Sequence, residues 1–150
     1  MPQAATLSVR RFFTKPKTKA YDGSSWVKRD SLITNPGTSQ PVFEQKNVDF
    51  PEGWSLNAIN IVAQKYFIGT PNTPGREHSL KQLINRVVDT ITREGLQGGY
   101  FEGAVEAEDF REELKYILAT QRAAFNSPVW FNIGARSRPP TSQRLLYFGC

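Results

Sequence analysis

Apolar and polar positions along the chain predict three helices after a largely polar beginning. Apolar residues recur at helical spacing between a Ser55 cap and Tyr66. A capping box over Ser79–Gln82 opens a second helix, which we expect to end at Gly95. A third helix begins among acidic residues, which suit the positive end of a helix dipole, and ends before Pro128. The three stripes are Leu56-Ile59-Val62-Ala63-Tyr66, Leu80-Leu83-Ile84-Val87-Val88-Ile91 and Phe110-Leu114-Ile117-Leu118-Gln121.

Strand signals are weaker than the helical ones. Val42 to Phe50 carries apolar residues between polar ones, which predicts a short strand. A lone strand is expected near Val129–Phe131. The predicted fold class is therefore mainly α, a three-helix domain with an extended basic arm and one or two short strands. We expect the arm to cover residues 1–41 and the helical domain residues 42–125.

The net charge of +5 belongs to the arm. Residues 1–30 hold seven basic and two acidic residues, whereas the rest of the chain holds twelve of each. Such an arm is either a solvated extension or a contact for phosphates or an acidic protein surface. No apolar run approaches the roughly 20 residues that cross a bilayer, and the N-terminal segment lacks the pattern of a secretory signal. We therefore expect a cytoplasmic protein with no membrane partner.

Few residues could carry catalytic or metal-binding chemistry. One cysteine, Cys150, and one histidine, His78, are too few for a zinc site. The sequence shows no carboxylate at a spacing from His78 that would predict a catalytic pair. A surface or capping role is therefore favoured over a general base. Gly98-Gly99 lacks the context of a phosphate loop. The acids near the third helix are interpreted as a solvated helix start rather than a cation site; they are Glu106, Glu108, Asp109, Glu112 and Glu113. We expect no catalytic residue and no metal site.

The segment Phe125–Gly134 is the densest in candidate chemistry. A serine hydroxyl and backbone amides in Asn126-Ser127-Pro128 could hold a phosphate or a sugar at a helix-to-strand transition. Composition alone favours a plain cap and turn, with the aromatic neighbours in the core.

Residues 10–142 contain a series of short segments that occur in the same order in one known protein family. They are Arg11-Phe12-Phe13-Thr14, Tyr21-Asp22 with Trp26 and Arg29-Asp30, Val42-Phe43-Glu44-Gln45, Trp54-Ser55, Ile61-Val62-Ala63-Gln64-Lys65-Tyr66-Phe67, Arg76-Glu77-His78-Ser79, Gln82-Leu83-Ile84-Asn85-Arg86-Val87-Val88 and Ala124-Phe125-Asn126-Ser127-Pro128-Val129-Trp130-Phe131-Asn132. The series resembles the N-terminal region of the class II, adenosylcobalamin-dependent ribonucleotide reductases.

The resemblance implies a longer enzyme that reduces ribonucleotides to deoxyribonucleotides for DNA synthesis and repair. In that family adenosylcobalamin generates a thiyl radical on a cysteine inside an α/β barrel, and thioredoxin-type donors restore the reducing cysteines. Allosteric nucleotides and a homodimer are implied for the complete enzyme. The cobalamin site and the radical cysteine would lie beyond residue 150, so we expect this chain alone to be inactive and to bind no cofactor.

The resemblance also assigns residues near the C-terminus. It places 126–142 at the start of the truncated barrel and substrate binding at Ser127, as a phosphate contact, and at Ser142. Arg144 stands where the family has its first redox cysteine. Back-translated codons for 143–150, read one base later, give Ser-Val-Cys-Phe-Ile-Leu-Asp, which restores the family pattern. We hypothesise an out-of-frame tail after Ser142; sequencing the locus tests it, and an intact frame without downstream reductase coding would refute it.

Two alternatives stay open. The first is a non-catalytic helical interaction module whose basic arm binds nucleic acid or an acidic partner, which steep salt dependence of binding would reveal. The second is a helical domain that docks onto a separately encoded reductase, which the downstream DNA would reveal.

Overall fold

The computed structural model describes residues 6–135 as two strands followed by four helices. The strands pair as an antiparallel hairpin, and 38% of the described residues are helical and 18% are strand. The prediction of a mainly α, three-helix domain is therefore wrong, because a two-stranded sheet and a fourth helix belong to the fold. The elements are β1 Trp26–Thr34, β2 Pro41–Pro51, α1 Leu56–Lys65, α2 Leu80–Gln97, α3 Ala104–Ala119 and α4 Ser127–Asn132.

Strand β1 lies inside the stretch that the sequence predicts to be an extended arm. It pairs with β2 along its length, with register shifts between Arg29 and Ser31 and between Ile33 and Thr34. Its fully buried residue is Ser31, whose hydroxyl donates to Oδ1 of Asn60 on α1 at 2.9 Å. A strand with a serine at its buried position shows no apolar alternation, so the pattern did not predict it. The short strand predicted over Val42–Phe50 is confirmed as part of β2.

Helices α1 and α2 begin where the sequence predicts. The Ser55 side chain accepts a hydrogen bond from the N–H of Ala58, and Ser79 begins the predicted capping box. The predicted end of α2 at Gly95 is wrong, because the helix continues to Gln97. Gly95 instead allows close packing, since a Cβ there would lie 2.6 Å from the ring of Phe101.

The core lies between the hairpin and helices α1 and α2. Val48 and Phe50 of β2 are fully buried. The Phe50 ring centroid lies 5.4 Å from that of Trp54 and 5.8 Å from that of Phe67. Trp54 donates its indole N–H to the carbonyl of Ala119 at 2.8 Å, which ties the end of α3 to the segment before α1. The face of α2 in this core consists of Leu80, Leu83, Ile84, Val87 and Val88.

Residues Val129–Phe131, predicted to be a lone strand, lie in helix α4. Asn126 occupies the N-cap position, and Pro128 lies in the first turn, where its missing N–H breaks no helical hydrogen bond. Trp130 is buried and donates its indole N–H to the carbonyl of Phe125 at 2.9 Å. The Asn-Ser-Pro sequence therefore begins a helix, and the predicted helix-to-strand transition is wrong.

The segment that precedes β1 lies along α3. The N–H of Leu7 donates to the carbonyl of Tyr100 at 2.7 Å, and Leu7 forms a parallel bridge with Phe101. Further along, the N–H of Ala20 donates to the Glu112 carboxylate at 2.7 Å. For this part of the arm, the interpretation as a solvated extension is wrong.

Candidate functional site

Two hydroxyl groups meet where α1 ends and α4 begins. Tyr66 is the C-cap of α1 and Ser127 the first residue of α4, and their side-chain oxygens lie 3.0 Å apart. One hydrogen bond between two hydroxyls uses one of the two O–H donors. Within residues 6–135 neither hydroxyl has another hydrogen-bond partner, so one O–H is available to a ligand. Ser127 is half-buried, which leaves it reachable from solvent.

A buried arginine fixes the position of both hydroxyls. The Arg86 guanidinium donates to the carbonyls of Trp130 at 3.0 Å and Ile133 at 2.8 Å, and so holds the end of α4. It also donates to the carbonyl of Tyr66 at 3.4 Å. Its Nε pairs with the Glu77 carboxylate at 2.8 Å, and the two side chains are only 8% and 10% exposed. Arg86 therefore joins the end of α1, the loop before α2 and helix α4.

Aromatic contacts and a close approach of two backbone segments also hold α4 and the residues that follow it. The Tyr66 ring centroid lies 5.3 Å from that of Phe131 and 6.5 Å from that of Trp130. Gly134 has φ of 70°, and a Cβ there would lie 2.6 Å from the carbonyl oxygen of Arg86. The chain after α4 can approach α2 this closely because residue 134 is glycine.

Four of the five acids near the start of α3 bind the arm, so for these four the interpretation as a solvated helix start is wrong; they are Glu108, Asp109, Glu112 and Glu113. Glu113 is 7% exposed and accepts the backbone N–H groups of Phe12 at 2.9 Å, Phe13 at 2.9 Å and Thr14 at 2.7 Å. Burial by itself raises the pKa of Glu113, but these N–H groups and the Thr14 hydroxyl outweigh burial. Together they hold the pKa of Glu113 below its ordinary value.

Two ion pairs extend this interface. Arg11 pairs with Asp109 at 2.5 Å, and Lys19 pairs with Glu108 at 3.0 Å. Burial raises the pKa of Glu108, but Lys19 and Arg111 lower it by more, so the pKa of this carboxyl lies below its ordinary value. Part of the arm's positive charge is therefore neutralised within the domain.

Tyr21, in the part of the arm that precedes β1, enters a polar cluster between α2 and α3. Its hydroxyl donates to Oδ1 of Asn85 at 2.9 Å, and Asp89 pairs with Lys115 at 2.7 Å. Burial raises the pKa of Tyr21, and the carboxylates of Asp89 and Glu112 raise it further. The phenol therefore stays protonated and acts as a hydrogen-bond donor.

The remaining sequence-predicted residues contribute no reactive group to this site. The His78 side chain is exposed, while its N–H donates to Gln82 and its carbonyl accepts from the Asp49 N–H, which confirms the surface or capping interpretation. Ser142 and Cys150 lie outside the described residues, as does the tail over 143–150.

Two open grooves mark the surface of residues 6–135. The larger, about 640 Å³, lies between Pro41–Lys46 of β2 and the loop over 72–76, with His78 at its side. The smaller, about 330 Å³, lies beside Trp54 and the end of α3. In this part of the chain, no group of three or more His, Cys, Asp or Glu side chains is placed to hold a metal ion. None of its helices is long and apolar enough to cross a membrane.

Residues 27–121 match the family described as class II vitamin B12-dependent ribonucleotide reductase. The chain belongs to this family. The vitamin B12-dependent ribonucleotide reductase of Streptomyces coelicolor is 49% identical to it over 128 residues, covering 85% of this chain and 13% of that protein. The enzyme of Streptomyces avermitilis is 46% identical over 132 residues, covering 88% and 14%. That of Rhodopirellula baltica is 41% identical over 116 residues, covering 77% and 11%. The chain therefore matches only the N-terminal portion of these reductases.

The described residues of this chain do not fit a cobalamin cofactor. A corrin ring needs a large enclosed cavity, whereas the two grooves described above are open to solvent. The single cysteine of the sequence is residue 150, so residues 6–135 offer no thiol for a thiyl radical. No step through cobalamin follows from these residues.

Sequence reasoning did not identify Tyr66 or Arg86 as site residues. Tyr66 was assigned only to the apolar stripe of its helix, and its partner Ser127 is 61 residues away. Arg86 lies three residues after Leu83 and so borders the buried face of α2, which is the one sign of its buried role in the sequence.

Proposed function

We propose that the complete protein reduces ribonucleotides with adenosylcobalamin and that residues 6–135 form part of its substrate-binding site. The identity to the Streptomyces coelicolor reductase supports this proposal. By the same family resemblance we propose a cytoplasmic homodimer with a thioredoxin-type electron donor and allosteric nucleotides. Residues 126–142 would lead into the catalytic barrel.

The observation that carries the proposal is the hydroxyl pair of Tyr66 and Ser127. The unused O–H of the pair can donate to a phosphate oxygen, and hydrogen bonds to charged groups are stronger than neutral ones. The contacts of Arg86 hold both residues in place before a ligand arrives. We therefore propose Ser127 as a contact to the substrate phosphate. Ser142, outside the described residues, is proposed as a second substrate contact.

A chimera tests whether this domain supports nucleotide reduction. Residues 6–135 replace the matching region of the Streptomyces coelicolor reductase, which is 49% identical to this chain. Deoxyribonucleotide formation is measured with adenosylcobalamin, a dithiol and a ribonucleotide. We expect turnover by the chimera and none by the 150-residue chain alone. A folded chimera that retains no turnover would contradict the proposal.

Substitution of Ser127 in the chimera tests the phosphate contact. Loss of a hydrogen bond to a charged group costs about 1.5–3 kcal/mol, so Ser127→Ala should lower kcat/KM by about 10- to 100-fold, mainly through KM. Ser25→Ala removes an exposed hydroxyl in the segment before β1 and should leave kcat/KM unchanged. Equal kinetics for the two variants would remove Ser127 from the site.

A further inference from the structure

The arm contains a rigidly built loop from Arg11 to Thr18. The Arg11 guanidinium donates to the carbonyls of Lys15 and Thr18, both at 3.0 Å, and pairs with Asp109. From the other side, the Glu113 carboxylate accepts three successive backbone N–H groups of the loop. The backbone at Phe12 is therefore fixed by polar contacts rather than by burial of its side chain.

This loop presents an aromatic ring to solvent. Phe12 is 85% exposed, the highest value among the large apolar residues that the structure describes as exposed. The Phe13 ring lies against it edge-on, with centroids 4.8 Å apart, and stacks on Tyr116 with centroids 5.7 Å apart. The Arg122 guanidinium lies 4.8 Å from the Phe13 centroid. The four side chains form a continuous surface that we name the Phe12 platform.

The surroundings of the Phe12 platform carry unpaired positive charge. Arg10, Lys15 and Lys17 are exposed, and within residues 6–135 none of them forms an ion pair. The nearby acids Asp109 and Glu113 are already bound to the arm. An anionic partner would therefore meet cations around the ring with little opposing charge.

An open aromatic ring within a cationic surface suits a ligand that has both a flat π-face and phosphates. Unpaired nucleobases stack on exposed aromatic side chains while cations track the backbone. Neither of the two grooves described above includes a residue of the platform. A single phenyl ring buries too little apolar area for firm insertion into a membrane. We propose that the Phe12 platform binds single-stranded nucleic acid by stacking one base on Phe12.

Fluorescence anisotropy of the full 150-residue chain with labelled single-stranded oligonucleotides of about 12 nucleotides tests the proposal, beginning near 50 mM salt. Phe12→Ala should weaken binding by about 5- to 100-fold, the range that loss of one stacked base gives. Phe12→Trp should restore it. The control Leu56→Ala removes an exposed apolar side chain on α1, whose main contacts are with the hairpin, and should leave affinity unchanged.

Charge variants separate stacking from simple attraction. Lys15→Gln and Lys17→Gln should each weaken binding of every oligonucleotide alike and reduce the salt slope by about 0.7. Circular dichroism should confirm that each variant is folded. The proposal is overturned by absence of binding at low salt, by equal affinities of Phe12→Ala and the wild type, or by equal affinity for polyglutamate. Phe12-dependent binding to phosphatidylserine vesicles without oligonucleotide binding would also overturn it and favour a lipid surface.

Discussion

Replacement of Arg86 by methionine tests the buried contacts that position α4. We name Arg86 and its partners the Arg86 hub; the partners are Glu77, Tyr66, Trp130 and Ile133. The change removes the guanidinium but keeps a long side chain in the space. It leaves the Glu77 carboxylate, 10% exposed, with the N–H of Ile68 at 3.0 Å as its remaining donor. The carbonyls of Trp130 and Ile133 lose their charged partner as well.

The expected loss of stability follows from this burial. Breaking a buried pair by removing one partner costs about 3–5 kcal/mol, because an uncompensated charge stays in the interior. Domains are stable by only about 5–15 kcal/mol in total, so the loss is large. For a domain of this size we expect a fall in Tm of about 10–15 °C. Urea unfolding followed by circular dichroism measures the free energy directly.

Two further variants make the Arg86 test specific. Arg93→Met alters the same helix at a side chain 57% exposed, paired with Glu94 at 3.6 Å, and should cost under about 0.5 kcal/mol. Adding Glu77→Gln to Arg86→Met removes the unpaired buried charge and should restore at least about 1 kcal/mol of the free energy of unfolding. A loss below about 1 kcal/mol for Arg86→Met, or no recovery in the double variant, would refute the role of the buried pair.

Two other predictions concern the arm and the close approach of α4. Glu113 has a lowered pKa when folded, so it stabilises the arm fully above its ordinary value of 4.5, and this contribution is lost as the pH falls through the lower, folded pKa. The N–H signals of Phe12, Phe13 and Thr14 in NMR spectra should accordingly lose their folded chemical shifts below that pH, whereas Glu113→Ala should lack those shifts at every pH; wild-type shifts that are independent of pH would contradict this account. Gly134→Ala should destabilise the domain by about 2–3 kcal/mol in urea unfolding, because it adds a clash with Arg86 to the cost of a positive φ. Gly99→Ala shares the φ of 70° but meets nothing within 4 Å, so it should cost about 1–2 kcal/mol, and equal losses would exclude the clash.

Local patterns in the sequence predicted the long helices well, and long-range contacts explain what they missed. The caps at Ser55 and Ser79 are set by residues within a few positions of each other, so spacing reveals them. Strand β1 depends on pairing with β2 and on the contact of Ser31 with Asn60, 29 residues away. No local periodicity encodes such a contact, so the hairpin and the α+β character of the domain were not predicted.

The candidate site was predictable only in part, for the same reason. The sequence named Ser127, through the resemblance to a family, but its partner Tyr66 and the hub Arg86 come from distant segments. The sequence predicts solvated acids at the start of α3 because charged residues are usually exposed. Glu113 is buried because the arm, about 100 residues earlier in the chain, supplies its donors.

Helix α2 explains how both ends of the domain are held by polar contacts. Its apolar face packs on the hairpin, while Asn85 binds the arm through Tyr21 and Arg86 binds the end of α4. Apolar packing is non-directional, so it tolerates small shifts of an element, whereas hydrogen bonds to backbone carbonyls fix its position more narrowly. The orientation of the Tyr66 and Ser127 hydroxyls therefore depends on the Arg86 hub more than on the size of the core. Variants that weaken the core should lower stability without moving the hydroxyl pair, while variants of the hub should do both.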